Sequence, residues 1–108
     1  MRFQLKVTNT EHVPALDALA DEKFAQPVQK LLGGLDVSAD IILAVEFERT
    51  TNHHRTGAIW RAEAQLDLPS VVSEIRAEAT AETLEDAADE VKHKLIREIK
   101  TYKSKGRP

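Results

Sequence analysis

Apolar and polar residues alternate at the start of this chain. Phe3, Leu5 and Val7 interleave with Gln4, Lys6 and Thr8, the two-residue period of a half-buried strand over residues 2–8. The period then lengthens. Val13, Leu16, Leu19, Ala20, Phe24, Leu31 and Leu32 recur at steps of three and four, which marks one face of an amphipathic helix. Asn9 and Thr10 are candidate caps for it. Pro27 falls inside the helix and is expected to kink or break its last turns, and Gly33 and Gly34 to stop it.

Three further strands follow. Residues 40–49 place Ile41, Leu43, Val45 and Phe47 on one face. The polar connection TTNHHRTG carries turn chemistry at Asn52 and Gly57. Residues 58–68 set Trp60, Ala62, Ala64, Leu66 and Leu68 against Arg61, Glu63, Gln65 and Asp67. After a turn at Pro69 and Ser70, residues 71–79 set Ser73, Ile75, Ala77 and Ala79 against Glu74, Arg76 and Glu78. A long helix runs from residue 80 to about residue 104. Thr80 or Thr83 is its candidate cap, acidic residues open it, and its apolar stripe is Leu84, Ala87, Ala88, Val91, Leu95, Ile99 and Tyr102.

The order is therefore β-α-β-β-β-α, an α+β fold. A right-handed crossover makes the first two strands parallel, and short turns make the last three a meander. Each strand has one apolar face, so both helices should cover the same side of a four-stranded mixed sheet and leave the other side wet. Trp60 should then lie on the covered face, beside Leu5, Leu43 or Val45, and Ile75. Residues 1–104 read as one domain and 105–108 as a short basic tail.

Composition narrows the chemistry. With no cysteine there is no disulfide, thiolate nucleophile or thiolate metal site. No apolar run is long enough to span a membrane, and the N-terminus lacks a signal-peptide core, so the expected location is cytoplasmic. His53 and His54 are adjacent while His12 and His93 stand alone, so solvated histidines are the simpler reading and no metal is expected. No carboxylate pair falls where the fold would bury it, and Gly33-Gly34 lacks the lysine and spacing of a phosphate loop. No catalytic residue, cofactor or small-molecule substrate is expected.

The net charge of -3 hides a split. Residues 78–90 hold six acidic side chains and no basic one; residues 92–107 hold seven basic side chains and one acidic, Glu98. At about 100° per residue, His93, Arg97 and Lys100 fall within about 60° of one another, opposite the apolar stripe. Lys92, Lys94 and Lys103 flank that stripe. Such a surface suits phosphate backbone, since binding releases counterions. The plainer explanation is that cations near a helix C-terminus answer its dipole. Trp60 and Tyr102 could stack on bases, but both lie on apolar faces, where core packing is the simpler role.

Two stretches carry a resemblance. HRTGAIWRAEAQLDLPS, residues 54–70, is similar to the basic loop, glycine, aromatic and long strand of the ribosome hibernation-promoting factor and ribosome-associated inhibitor family, once called sigma-54 modulation proteins. AETLEDAADEVKHKLIREIKTYKSK, residues 81–105, resembles that family's final helix through Lys94-Leu95, Arg97, Ile99, Lys100, Tyr102-Lys103 and Lys105. The first helix is less basic than in the family, Leu84 stands where an aromatic is common, and Thr101 occupies a usually basic site.

The resemblance implies a non-enzymatic stress or stationary-phase factor. Such a protein sits in the mRNA and tRNA channel of the small ribosomal subunit, blocks translation and promotes hibernation. Its partner would be that subunit and its ribosomal RNA. Carried over by position, the RNA contacts become Lys23 and Lys30 on the first helix and Lys94, Arg97, Lys100, Lys103 and Lys105 on the last, with Arg55 and Arg76 as further candidates. With its end just past the last helix the chain resembles the short family members, which implies a monomer when free that does not pair ribosomes alone. The alternative is a protein-interaction module acting through its acidic surface, formed by the sheet and the first half of the last helix.

Overall fold

The computed structural model describes residues 1–33, 40–51, 53, 57–68 and 74–105. Gly34, Asn52, His54, Arg55, the Pro69-Ser70 turn, residues 71–73 and the tail from 106 lie outside them. Four strands, β1 (Arg2–Thr8), β2 (Ile42–Arg49), β3 (Trp60–Asp67) and β4 (Ile75–Ala81), form one sheet in the order β1-β2-β3-β4. β1 pairs parallel with β2, and the other two pairings are antiparallel. The helical elements are α1 (Pro14–Ala20), a π-turn (Asp21–Ala25), α2 (Gln26–Leu32) and α3 (Leu84–Lys105). The β-α-β-β-β-α order and the mixed sheet are those the alternation pattern predicts. Among the described residues no helix is long and apolar enough to cross a membrane.

Register explains the single core. Leu43, Val45 and Phe47 of β2 stand opposite Phe3, Leu5 and Val7 of β1 and opposite Leu66, Ala64 and Ala62 of β3. Those β3 residues in turn face Ile75, Ala77 and Ala79 of β4. All share one face, and α3 packs on its β3 and β4 half. The contact is lined by small side chains: Ala62, Ala64, Ala77 and Ala79 below, Ala87 and Ala88 above, all buried. Alanines on both sides let the helix backbone settle close to the sheet. Larger residues fill the other half, where the Phe24 and Phe47 rings meet with centroids 6.3 Å apart.

Trp60 does lie on the helix side, but at the end of the sheet rather than its middle. Its strand partners are Arg49 and Ala81, and Ile75 pairs with Leu66 at the far end of β3. Leu16, Leu19 and Leu84 share a cleft with it in place of the expected strand residues. The Arg49 guanidinium stacks over the indole at 5.7 Å. Alternation fixes a residue's face, not its position along the strand.

The first helix corrects two expectations. Asn9 and Thr10 do not cap it. It begins at Pro14, whose missing N–H costs nothing in the first turn. Asn9 instead takes a left-handed conformation, φ 61°, and its amide donates to the Arg49 carbonyl at 2.8 Å. Pro27 does not end the helix either. A π-turn lies just before it, with the Gln26 N–H reaching back five residues to the Asp21 carbonyl. The Gln26 side chain spans the same interval, donating to the Asp21 carboxylate at 2.6 Å. Such a widened turn makes room for a ring that clashes with the carbonyl four residues earlier.

The π-turn also solves a phase problem. Leu16, Ala20, Phe24, Val28 and Leu32 all turn toward the core at steps of four. On a straight α-helix a four-residue step drifts by about 40°, so four steps drift by about 160°. Absorbing one extra residue in a wide turn removes about 100° of that. Gly33 then closes the helix at φ 57°.

At the other end, α3 begins at Leu84 with Thr83 as its cap, not at residue 80, because β4 runs on to Ala81. The Thr83 hydroxyl accepts from the Asp86 N–H at 3.1 Å. The close approach over the alanines generates a prediction. Ala64→Leu should overpack the contact and cost about 1–3 kcal/mol in urea unfolding. A variant as stable as wild type would show that α3 does not sit tightly on this strand.

Candidate nucleic-acid interface

Both helices follow strands that run the same way, so they return across the sheet in the same direction. Two ties hold them side by side. Lys23 of the π-turn pairs with Asp89 of α3 at 2.8 Å. Further on, the Lys103 ammonium donates to the Leu31 carbonyl at 2.6 Å, satisfying one of the open acceptors at the end of α2. The hydrogen bond to Asp89 raises the Lys23 ammonium above its ordinary value. The helix ends therefore meet at one edge of the layer, and the lysines and arginines of α3 lie toward that end.

The structure divides the candidate contacts. Lys94 donates to the Glu78 carbonyl at 3.0 Å and lies 3.7 Å from Glu90, fastening α3 to β4. Lys23 and Lys103 join the helices. Arg76 is on the other side of the sheet, paired with Glu63 and 3.8 Å from Glu78. These four have structural partners. Lys30, Arg97 and Lys100 are exposed and make no ion pair among the described residues. His93 is exposed on the same strip of α3. Arg55 lies outside the described residues, as does the side chain of Lys105 in the last helical turn. Among the described candidates, the exposed, unpaired cations are thus fewer than the basic run suggests: Arg97 and Lys100, with His93 beside them on one face of α3, and Lys30 near the end of α2.

The histidines have ordinary surroundings. The His12 ring meets Asp17 at 3.0 Å, and the backbone N–H of His53 donates to the Thr51 hydroxyl at 3.1 Å. Among the described residues no three histidine, aspartate or glutamate side chains gather as a metal set.

Charge on the open sheet face is organised around a residue that the sequence reading passes over. Arg61, on the central strand β3, reaches Glu63 at 2.6 Å, Glu78 at 2.8 Å, Glu48 at 3.3 Å and Glu46 at 3.4 Å. Every one of these partners projects from the same face of β2, β3 or β4. Strand alternation could have exposed the cluster, since Glu48 faces Arg61 and Glu63 faces both Glu46 and Glu78 in register. The hydrogen bond to Glu78 leads the causes that raise the Arg61 guanidinium still further above its ordinary value. The Thr8 hydroxyl, donating at 2.6 Å, and then Arg61 hold Glu46 below the usual carboxylate range. Arg61 does the same for Glu78. Within this cluster two guanidiniums meet four carboxylates, and Lys6 of β1, in register with Glu46, adds a further cation on the same face, so its charges are mixed and largely paired with one another.

Because Glu46 and Glu78 are both lowered, the stability they add is present above their ordinary value of 4.5. It is lost as pH falls through the lowered values. Arg61→Met should flatten that loss, because the crowded carboxylates then gain rather than lose by protonation. Thermal unfolding from pH 6 down to about pH 3 tests this; a variant with the wild-type acid slope would remove Arg61 from the centre of the network.

Residues 3–107 match the family described as sigma 54 modulation protein / S30EA ribosomal protein. A ribosome hibernation promotion factor of Lactococcus lactis subsp. cremoris (strain MG1363) is 27% identical over 105 residues, covering 97% of this chain and 51% of that protein. The chain thus spans about half the length of this curated relative. Two solved structures share the fold. The N-terminal domain of Thermus thermophilus Protein Y superposes with a TM-score of 0.71 at 22% identity, over 94% of this chain and 99% of that one. A ribosomal subunit interface protein from Coxiella burnetii gives 0.69 at 22% identity, over 96% and 99%.

Proposed function

Since the chain belongs to the sigma 54 modulation protein / S30EA ribosomal protein family, we propose that it is a ribosome-binding hibernation factor that holds ribosomal RNA with the C-terminal half of α3. The observation that carries this reading is the exposed strip of His93, Arg97 and Lys100 without carboxylate partners among the described residues. A rigid helix presenting cations from successive turns matches the spacing of phosphates along a backbone and releases counterions on contact. Lys30 extends the strip onto the neighbouring helix end. The site we favour on the ribosome is the mRNA and tRNA channel of the small subunit, where a bound domain of this size would block decoding. Nothing in this role needs a catalytic group. The similarity to a hibernation promotion factor of Lactococcus and a ribosomal subunit interface protein of Coxiella supports ribosome association.

The division of basic residues makes the reading testable. Arg97→Glu with Lys100→Glu should reduce co-sedimentation with ribosomes by several factors of ten, and wild-type binding should weaken as salt rises. Both side chains are exposed, so unfolding should shift by only about half a kilocalorie per mole. Glu74→Lys, exposed just before β4, should leave binding unchanged. Equal co-sedimentation of the double variant and wild type near physiological salt would leave these cations with no role beyond answering the helix dipole. Lys103→Met should behave differently again. Losing its hydrogen bond to Leu31 should cost about 1–3 kcal/mol of stability, read as a lower unfolding midpoint. An unchanged midpoint would mean the tie between the helix ends adds nothing.

A further inference from the structure

At the opposite end of the helical layer the two helices begin rather than end, and they do not close over the sheet. A cleft of about 710 Å³ opens there between α1 and the start of α3. Ala15, Leu16, Ala18 and Leu19 form one wall, Leu84 the other, and Trp60 lies between them. Leu16, Leu19, Leu84 and Trp60 are only half-buried, although similar side chains elsewhere on this face are fully covered. The rim is carboxylate: Glu22 on the π-turn, and Glu82 and Glu85 at the start of α3.

The charge decides what such a cleft accepts. The cations nearby are engaged, Lys23 with Asp89 and Arg49 over the Trp60 ring. The two helix N-termini supply about half a positive unit each, which three full carboxylates outweigh. The Thr83 hydroxyl in the lining already accepts from the Asp86 N–H. What remains is an apolar trough with an acidic border, which repels nucleic acid and complements apolar side chains flanked by cations. We infer that this cleft docks a lysine- or arginine-rich amphipathic segment of a protein partner, its apolar residues against Trp60, Leu16, Leu19 and Leu84 and its cations on Glu22, Glu82 and Glu85. The inference stands apart from ribosome binding, which uses the other end of the helices.

The sequence holds a single tryptophan, so the indole in the cleft reports its own occupancy. The probe is a synthetic peptide of leucine and lysine patterned to form an amphipathic helix, titrated into the purified protein while Trp60 emission is followed. The expected result is a saturable shift that weakens with salt and is absent for the same peptide with glutamate in place of lysine. Glu22→Lys with Glu82→Lys, both exposed positions, should weaken it about tenfold or more, since each reversal replaces an attraction by a repulsion. Circular dichroism of the double variant checks that the fold is kept; should it be lost, Glu82→Gln alone should still weaken binding measurably. No saturable shift, an equal response to the acidic peptide, or unchanged affinity in the charge variants would overturn the proposal. So would a shift produced by a single-stranded RNA oligomer, or by raising the protein's own concentration without peptide, which would identify a different occupant.

Discussion

A four-stranded sheet with one apolar face has to be covered on that face and only there, and most of this molecule follows from that requirement. Both helices must lie on the same side. The connection between two parallel strands and the return from the last strand of the meander then send them the same way. Their starts gather at one end and their ends at the other. The uncovered face stays in water and keeps its charges, which sort themselves around Arg61. Alanines in β3, β4 and α3 let the long helix lie low on one half, while Phe24 and Phe47 fill the other half.

Charge in this protein has two separate uses. Some basic side chains are structural: Lys94 fastens helix to strand, Lys23 and Lys103 join the two helices, and Arg61 and Arg76 offset carboxylates on the open face. Others are left to the solvent. Counting lysines along a helix mixes the two kinds, because a lysine stem is long enough to reach a carbonyl on a neighbouring element as readily as a phosphate. The two kinds also fail differently when removed, one through the fold and the other through binding.

The sheet was legible in the sequence because a period of two leaves little choice of face, and the face of every described strand residue follows from alternation. Strand ends were less legible. β2 and β3 each begin two residues later than the alternation suggests, since pairing stops before the pattern does. Three features lay beyond the pattern for a physical reason. Trp60 sits at the sheet's end because register, not alternation, sets distance along a strand. The π-turn ahead of Pro27 was hidden because steps of three and four look alike on a list, although the unbroken run of fours from Leu16 to Leu32 holds the clue. The Lys103 bond to Leu31 joins residues 72 apart in the chain, and nothing local announces it. The exposed strip of Arg97 and Lys100, by contrast, was read from helical geometry alone.

Helices laid side by side in the same direction have an electrical consequence. Their peptide dipoles add instead of cancelling, and the side chains reinforce the sum, with acids at the starts and cations at the ends. The result is a body with a small negative charge and a large separation of charge along one axis. Near a polyanion it experiences a torque as well as a force, and it swings its cationic pole inward before the surfaces touch. At physiological salt the field reaches only about 8 Å, so this turning happens in the last moments of approach. A uniformly basic protein would adhere to RNA from any side. Here the acidic starts of the helices are turned away while their cationic ends are drawn in.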